Sequence, residues 1–168
     1  VTVGEIYRAE DAEVVARRIA AATGAKANTP REGELLRFVP GNLFVADRAE
    51  DGTYRLREFE RGAVEFEVRS DAFDPIVRAL TLAVAPSASN VRYDPDWQSA
   101  RLDPRFECSS SDLRWPADEH GSWAVFDGGA ASGPMRLARV MDASIEEIAQ
   151  AMAHPESGGL LDGIYRLV

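Results

Sequence analysis

The chain has 168 residues, 45% of them hydrophobic, which is enough to bury one sizeable core and predicts a single domain over residues 1–168. It carries 28 acidic against 19 basic side chains, a formal net charge of −9, and residues 71–168 hold 15 of the acids but only 8 of the basic groups. Such a field repels nucleic acid and anionic membrane and speeds encounter with a basic protein, while also serving plain solubility. Cys108 is the single cysteine, so no intramolecular disulfide can form; with no run of 18 apolar residues and no charged-then-apolar leader, the chain is expected to be soluble and cytoplasmic.

In chain order, Ala9–Thr23 places Ala12, Val15, Ile19 and Ala22 on one helical stripe, with Glu10, Asp11 and Glu13 at its start and Gly24 set to end it. Strand-like runs follow at Glu34–Val39 and Asn42–Asp47 around Pro40-Gly41, then at Thr53–Phe59 and Ala63–Arg69 around Glu60-Arg61-Gly62. In the last run Val64, Phe66 and Val68 alternate with Glu65, Glu67 and Arg69, the period of a strand with one face in the core. Two consecutive hairpins imply an antiparallel sheet.

Asp74-Pro75 opens a second helix through Val84, with Ile76, Leu80 and Val84 on one face. From Val91 to Pro134 the pairs Asp94-Pro95, Asp103-Pro104 and Trp115-Pro116 and the glycine-rich run 128–133 imply short strands joined by long loops, of which Ser122–Asp127 is the best strand. Ser144 and Glu147 form a capping box for a third helix to about His154, and Ile164–Val168 can return as a strand. The predicted fold is α+β: an antiparallel sheet built from hairpins, with about three helices packed on or beside it.

Few residues suggest catalysis. Cys108, Asp118 and His120 are close in sequence and invite a nucleophilic triad, but sequence proximity gives no geometry, and a lone cysteine is most often a small buried hydrophobe. Serines 109–111 lack the Gly-x-Ser-x-Gly elbow, and the glycine run is followed by Met135 where a phosphate loop needs Lys-Ser/Thr. His120 and His154 stand far apart and Asp94-Pro95-Asp96 is only half of a carboxylate cation site, so no metal site and no cofactor are predicted.

The densest candidate is an interaction surface. Between Asp94 and Asp127 eight acids face three arginines, alongside all three tryptophans. Within it the stretch DPDWQSAR and its neighbour supply Asp94, Asp96, Trp97, Gln98, Arg101 and Asp103, combining charge with the aromatic and arginine anchors that dominate interfaces. The competing reading makes the tryptophans core residues beneath loops. Trp123, in an apolar strand, is expected in the core, and Trp97 and Trp115, each beside a proline and an acid, at the surface.

The segments EIYRAEDAEVVARRIAA at 5–21, GNLFVADRAEDGTYRLREFERGAVEFEVRSDAFDPIVRAL at 41–80 and YDPDWQSARLDPRFECSSSDLRWP at 93–116 resemble the immunity proteins of bacterial polymorphic toxin systems, more narrowly the immunity factor for the tuberculosis necrotizing toxin. Lys26 as the one lysine among 19 basic residues also looks like the codon usage of a high-GC bacterial genome. The resemblance implies an antitoxin that is not an enzyme. It would bind, as a one-to-one complex, the catalytic domain of a cognate secreted NAD glycohydrolase and block its NAD-binding site, protecting the producing cell. Two other classes fit the residues: a cytosolic adaptor or chaperone for a secreted protein, and a small enzyme using Cys108 or paired carboxylates.

Overall fold

A computed structural model describes residues 4–88, 90–94, 96–97, 101–116, 122–129, 132–155 and 159–168, with Leu167 described by its backbone alone. A 3-10 turn, Ala9–Asp11, leads into helix α1 (Ala12–Thr23). Val15, Ile19 and Thr23, four apart, are its buried stripe, and Gly24 ends it with φ at 73° and its N–H bonded to the Ala20 carbonyl.

Strands β1 (Glu34–Phe38), β2 (Leu43–Arg48), β3 (Tyr54–Glu60) and β4 (Ala63–Ser70) then run as an antiparallel meander, as the hairpin signals predict. Arg61 (φ 51°) and Gly62 (φ 86°) both adopt the left-handed conformation that a tight two-residue hairpin turn requires. Just beyond that turn Glu58 faces Phe66 but Phe59 faces Val64, so one extra β4 residue bulges out. The bulge turns Val64 away from the core, where it is 49% exposed, while Val68 is fully buried. The alternation predicted for this strand therefore applies only from Phe66 onward.

After helix α2 (Phe73–Val84) come β5 (Val91–Tyr93), β6 (Glu107–Cys108), β7 (Asp112–Trp115), β8 (Ser122–Gly128), α3 (Gly133–Val140), α4 (Ile145–Ala153) and β9 (Tyr165–Leu167). The second meander joins the first through β4 and β8, giving a seven-stranded antiparallel sheet in the order β1-β2-β3-β4-β8-β7-β6. β5 and β9 form a separate antiparallel ribbon. The fold is α+β, with one α-helix more among the described residues than the three predicted. The addition is α3: Pro134 sits in its first turn, and Met135, Leu137, Ala138 and Val140 are buried, so the glycine run is a helix entry as well as a loop. The predicted capping box of α4 is present, Ser144 Oγ accepting from the Glu147 N–H at 3.2 Å and the Glu147 carboxylate from the Ser144 N–H at 2.7 Å. No described helix is long and apolar enough to cross a membrane.

The sheet face bearing Leu36, Phe38, Leu56, Val68, Leu113 and Ala124 forms the core with the helices. Helix α2 lies at its centre, buried on nearly every side, as a helix apolar all round must be. It also carries a buried charge, Arg78, 1% exposed. All five guanidinium donors are used. Nε and one Nη2 hydrogen reach the two Asp74 oxygens at 2.9 and 3.1 Å, the other reaches the Glu5 carbonyl at 2.6 Å, and Nη1 donates to the carbonyls of Val140, at 3.1 Å, and Ala143. Tyr7 covers the group, its ring centroid 5.0 Å away. The Tyr7 N–H donates to Asp74, and its hydroxyl accepts from the Ile145 N–H at 2.9 Å. Outside this site Arg18 makes paired hydrogen bonds to both Glu5 and Glu146, tying α1 to the N-terminal segment and to α4.

Two outcomes follow for stability. Arg78→Met leaves the largely buried Asp74 without its cation and takes the side-chain donor from the carbonyls of Glu5, Val140 and Ala143, and is expected to lower the unfolding free energy by about 3–5 kcal/mol in urea titration. The second concerns pH. The Arg18 hydrogen bonds hold the Glu5 and Glu146 carboxyls below their ordinary value of 4.5. Their contribution is fully present above that value and is lost as pH falls through the depressed folded values. Both carboxylates are about half exposed, so solvent screening keeps the effect small. Arg18→Gln is expected to be less stable than the parent near neutral pH and to converge with it in acid, as read by thermal unfolding across pH.

Candidate interaction surface

The loop after β5 is organised by its own acids. The Asp94 N–H donates to the Ile164 carbonyl at 2.8 Å, joining the loop to the segment before β9. One Asp94 carboxylate oxygen accepts from the Asp96 N–H at 2.9 Å, and its carbonyl accepts from the Trp97 N–H at 3.1 Å. Asp94 thus builds a turn that lifts Asp96 into solvent and directs Trp97 downward. A second turn repeats the device: Asp103 accepts from the Arg105 N–H at 3.0 Å through its side chain and from the Phe106 N–H at 3.0 Å through its carbonyl. Arg105 reaches back to Asp103 at 3.5 Å and across to Asp142 beyond α3, with its guanidinium 4.6 Å from the Phe106 ring centroid.

Of the predicted contact residues, Asp96, Arg101 and Asp103 are exposed and Asp94 is half-buried. Gln98 lies outside the described residues. Trp97 is half-buried and packs against the core together with Leu102, so it holds the loop down as well as meeting solvent. All three tryptophans are half-buried, and the faces expected for Trp115 and Trp123 are exchanged. Trp115 packs against the core and meets the Phe106 ring at 6.1 Å, while Trp123 is half-buried and lies outside the core cluster. The reason is strand period: Ala124 and Phe126 take the inward positions of β8, leaving Trp123 and Val125 on the other face.

That other face is a surface the sequence reading overlooked. Arg37, Val45, Arg57, Glu67 and Asp127 lie in register across five strands, and Asp47, Arg55, Arg69, Val125 and Asp112 form the next row. Asp47 binds Arg55 at 2.5 Å and Arg57 at 2.6 Å, and Arg69 stands 3.7 Å from Glu67. Cross-strand pairing of opposite charges suits a face turned to water, and the arginine stems shield Val45, which is buried there. The signal was available as arginines at alternate positions of β3, Arg55 and Arg57.

Cys108 donates weakly to the Ser109 carbonyl at 3.5 Å, and burial pushes its thiol above its ordinary value, away from the thiolate a nucleophile needs. The neighbouring serines shape the β6–β7 hairpin: Ser109 Oγ accepts from the Asp112 N–H at 3.0 Å, and Ser111 Oγ donates to the Asp112 carboxylate at 2.7 Å. Asp118 and His120, the other members of the suggested triad, lie outside the described residues. Among the described residues no three His, Cys, Asp or Glu side chains converge as a metal site. In the glycine run, Gly128 (φ 75°) and Gly129 (φ 72°) turn the chain from β8 toward α3, and a Cβ on Gly128 would lie 2.4 Å from the Glu65 carbonyl oxygen.

No protein-family model, curated protein or solved structure matches the chain. The Cys108 geometry gives a direct expectation: Ellman's reagent titrates this thiol more slowly in the native protein than in urea, and Cys108→Ala changes the unfolding free energy by less than about 1 kcal/mol.

Proposed function

We propose that the protein is an antitoxin that binds the catalytic domain of a cognate secreted NAD glycohydrolase one-to-one and blocks its NAD-binding site in the cytoplasm of the producing cell. The observation that carries this reading is the described part of the 94–106 region, residues 94, 96–97 and 101–106, where exposed charged residues stand beside side chains packed against the core. Asp96, Arg101 and Asp103 are exposed, while Trp97, Leu102 and Phe106 pack against the core. Contact residues held in place by packing before binding lose less entropy when they meet a partner, so more of their contact energy appears as affinity.

Charge supports the same role. An inhibitor must capture its toxin before NAD is consumed, and the acidic C-terminal half steers encounter with a basic cleft that holds a pyrophosphate. Asp96 and Asp103 offer carboxylates to the cations that otherwise hold the phosphates.

The test is titration of the protein into the catalytic domain of the toxin encoded by the neighbouring gene, following NAD hydrolysis at low and high salt. Stoichiometric inhibition with salt-slowed association is expected. Asp96→Asn with Asp103→Asn keeps an oxygen acceptor in each turn but removes both charges, and is expected to slow association several-fold at low salt and little at high salt. Absence of both inhibition and a complex would overturn the reading; an unchanged association rate in the double variant would remove the loop from it.

A further inference from the structure

On the helix side of the sheet, above the row Phe44, Glu58 and Phe66, lies a cleft of about 440 Å³. Its floor is apolar, from Phe44, Phe66, Phe126, Leu82 and Leu137, and its rim is formed by Arg92 and Tyr93 of β5, Arg136 of α3 and Tyr165 of β9. Nothing in the antitoxin reading uses it. From this arrangement we infer that the cleft is a binding site for a small organic anion with a flat, apolar body.

The size belongs to small-molecule sites, which run from about 300 to 1,000 Å³ and combine an apolar lining with a few polar groups at fixed places. The rim supplies a flat surface: Tyr93 and Tyr165 stack with centroids 5.0 Å apart and ring planes at 27°. Arg136 lies with its guanidinium 5.6 Å from the Tyr93 centroid and donates through Nη1 to the Tyr93 hydroxyl, which fixes its orientation. Its Nε is buried and has no hydrogen-bond partner. Arg92 is exposed and donates only to the Val91 carbonyl next to it in the chain. Among the described residues neither arginine forms an ion pair.

The charge balance selects the ligand's sign. In a chain of net charge −9, the rim gathers two cations that have no carboxylate partner among the described residues. One carboxylate, Glu58, also lines the cleft, on the sheet side, where Asn42 donates to it at 2.7 Å. An anion therefore binds toward Arg92 and Arg136, its ring system lies over the phenylalanines, and a hydrogen-bond donor on its far edge meets Glu58. Burial of the Tyr165 hydroxyl pushes its pKa up, so it stays neutral and adds no competing negative charge.

Anilinonaphthalene sulfonate and phenylnaphthylamine share a flat apolar body, and only the first carries an anion, so fluorescence titration with both probes tests the proposal. The sulfonate is expected to saturate one site and to bind more tightly than the amine. Arg92→Glu, an exposed change that leaves the core intact, is expected to weaken the sulfonate about tenfold while leaving the amine within about twofold. Ala83→Trp, which fills the floor, is expected to weaken both, with near-UV circular dichroism checking that the variant is folded. Failure of the sulfonate to saturate a single site, or unchanged sulfonate binding in Arg92→Glu, would overturn the inference. Equal loss of both probes in Arg92→Glu would overturn its anionic part. If Ala83→Trp does not fold, the Arg92→Glu comparison still decides.

Discussion

A guanidinium placed where water cannot reach it governs the way this chain closes. Removing a charge from water costs several kcal/mol, and the cost is offset only when every donor finds a well-oriented acceptor. Arg78 meets that condition by drawing on distant parts of the sequence: the segment before α1, the side chain at the start of its own helix, the last residue of α3 and the turn into α4. None of these elements can move away without stranding one of the others. Packing of apolar side chains tolerates small shifts, whereas five directional bonds to one planar group define a register. The N-terminal segment illustrates this. It lies outside any regular element, yet Glu5 and Tyr7 are fixed by Arg78 and Asp74, and Tyr7 in turn satisfies the first N–H of α4.

With the helices gathered around α2 on one side, the sheet's two faces have opposite chemistry. The inner face is built chiefly from branched and aromatic apolar residues, and the outer face is a lattice of arginines and carboxylates in register. Asp47 illustrates the economy of that lattice: one carboxylate, itself largely buried, accepts from two arginines on the neighbouring strand. Such pairs contribute modestly to stability because their arginines stay partly in water. Their larger effect is to pin strand register, since a one-residue slip would carry every charge to the apolar side.

The elements legible in the sequence were those whose signal is local. The α1 stripe, the first four strands and the Ser144 capping box depend on spacing within a dozen residues, and their observed bounds agree with the expected ones to within a residue or a few. What escaped required knowledge of partners. Helix α3 was hidden because Gly128 to Gly133 reads as a loop, although Pro134 and the spacing of Met135 and Ala138 mark a helix start. Trp123 sits in an apolar run, and only the inward positions of Ala124 and Phe126 reveal that it faces the other way. Arg78 drew no attention because one arginine in an amphipathic-looking helix is normally a solvated residue; its burial follows from α1, α3 and α4 surrounding α2, which no local pattern encodes. In the candidate loop, the acids were recognisable as a group. That Asp94 and Asp103 each spend one oxygen on their own turns is visible only in the hydrogen-bond geometry.

The scarcity of lysine, which resembles a coding bias, thereby acquires structural weight. At Arg78 five donors in a plane are used; at Arg18 four hydrogen bonds divide between two carboxylates; at Arg55 two bonds form to Asp47. An ammonium group has three donors in a tetrahedral array and is more strongly hydrated, so it cannot reproduce the forked pairing and loses more on burial. Arg136 extends the same point to the cleft, where the guanidinium lies 5.6 Å from the Tyr93 centroid and donates to its hydroxyl. Arginine in place of lysine makes such planar, multidentate contacts available throughout the chain, and this fold uses them at its centre, at its helix junctions, across its open sheet face and on the rim of the cleft beside α2 and α3.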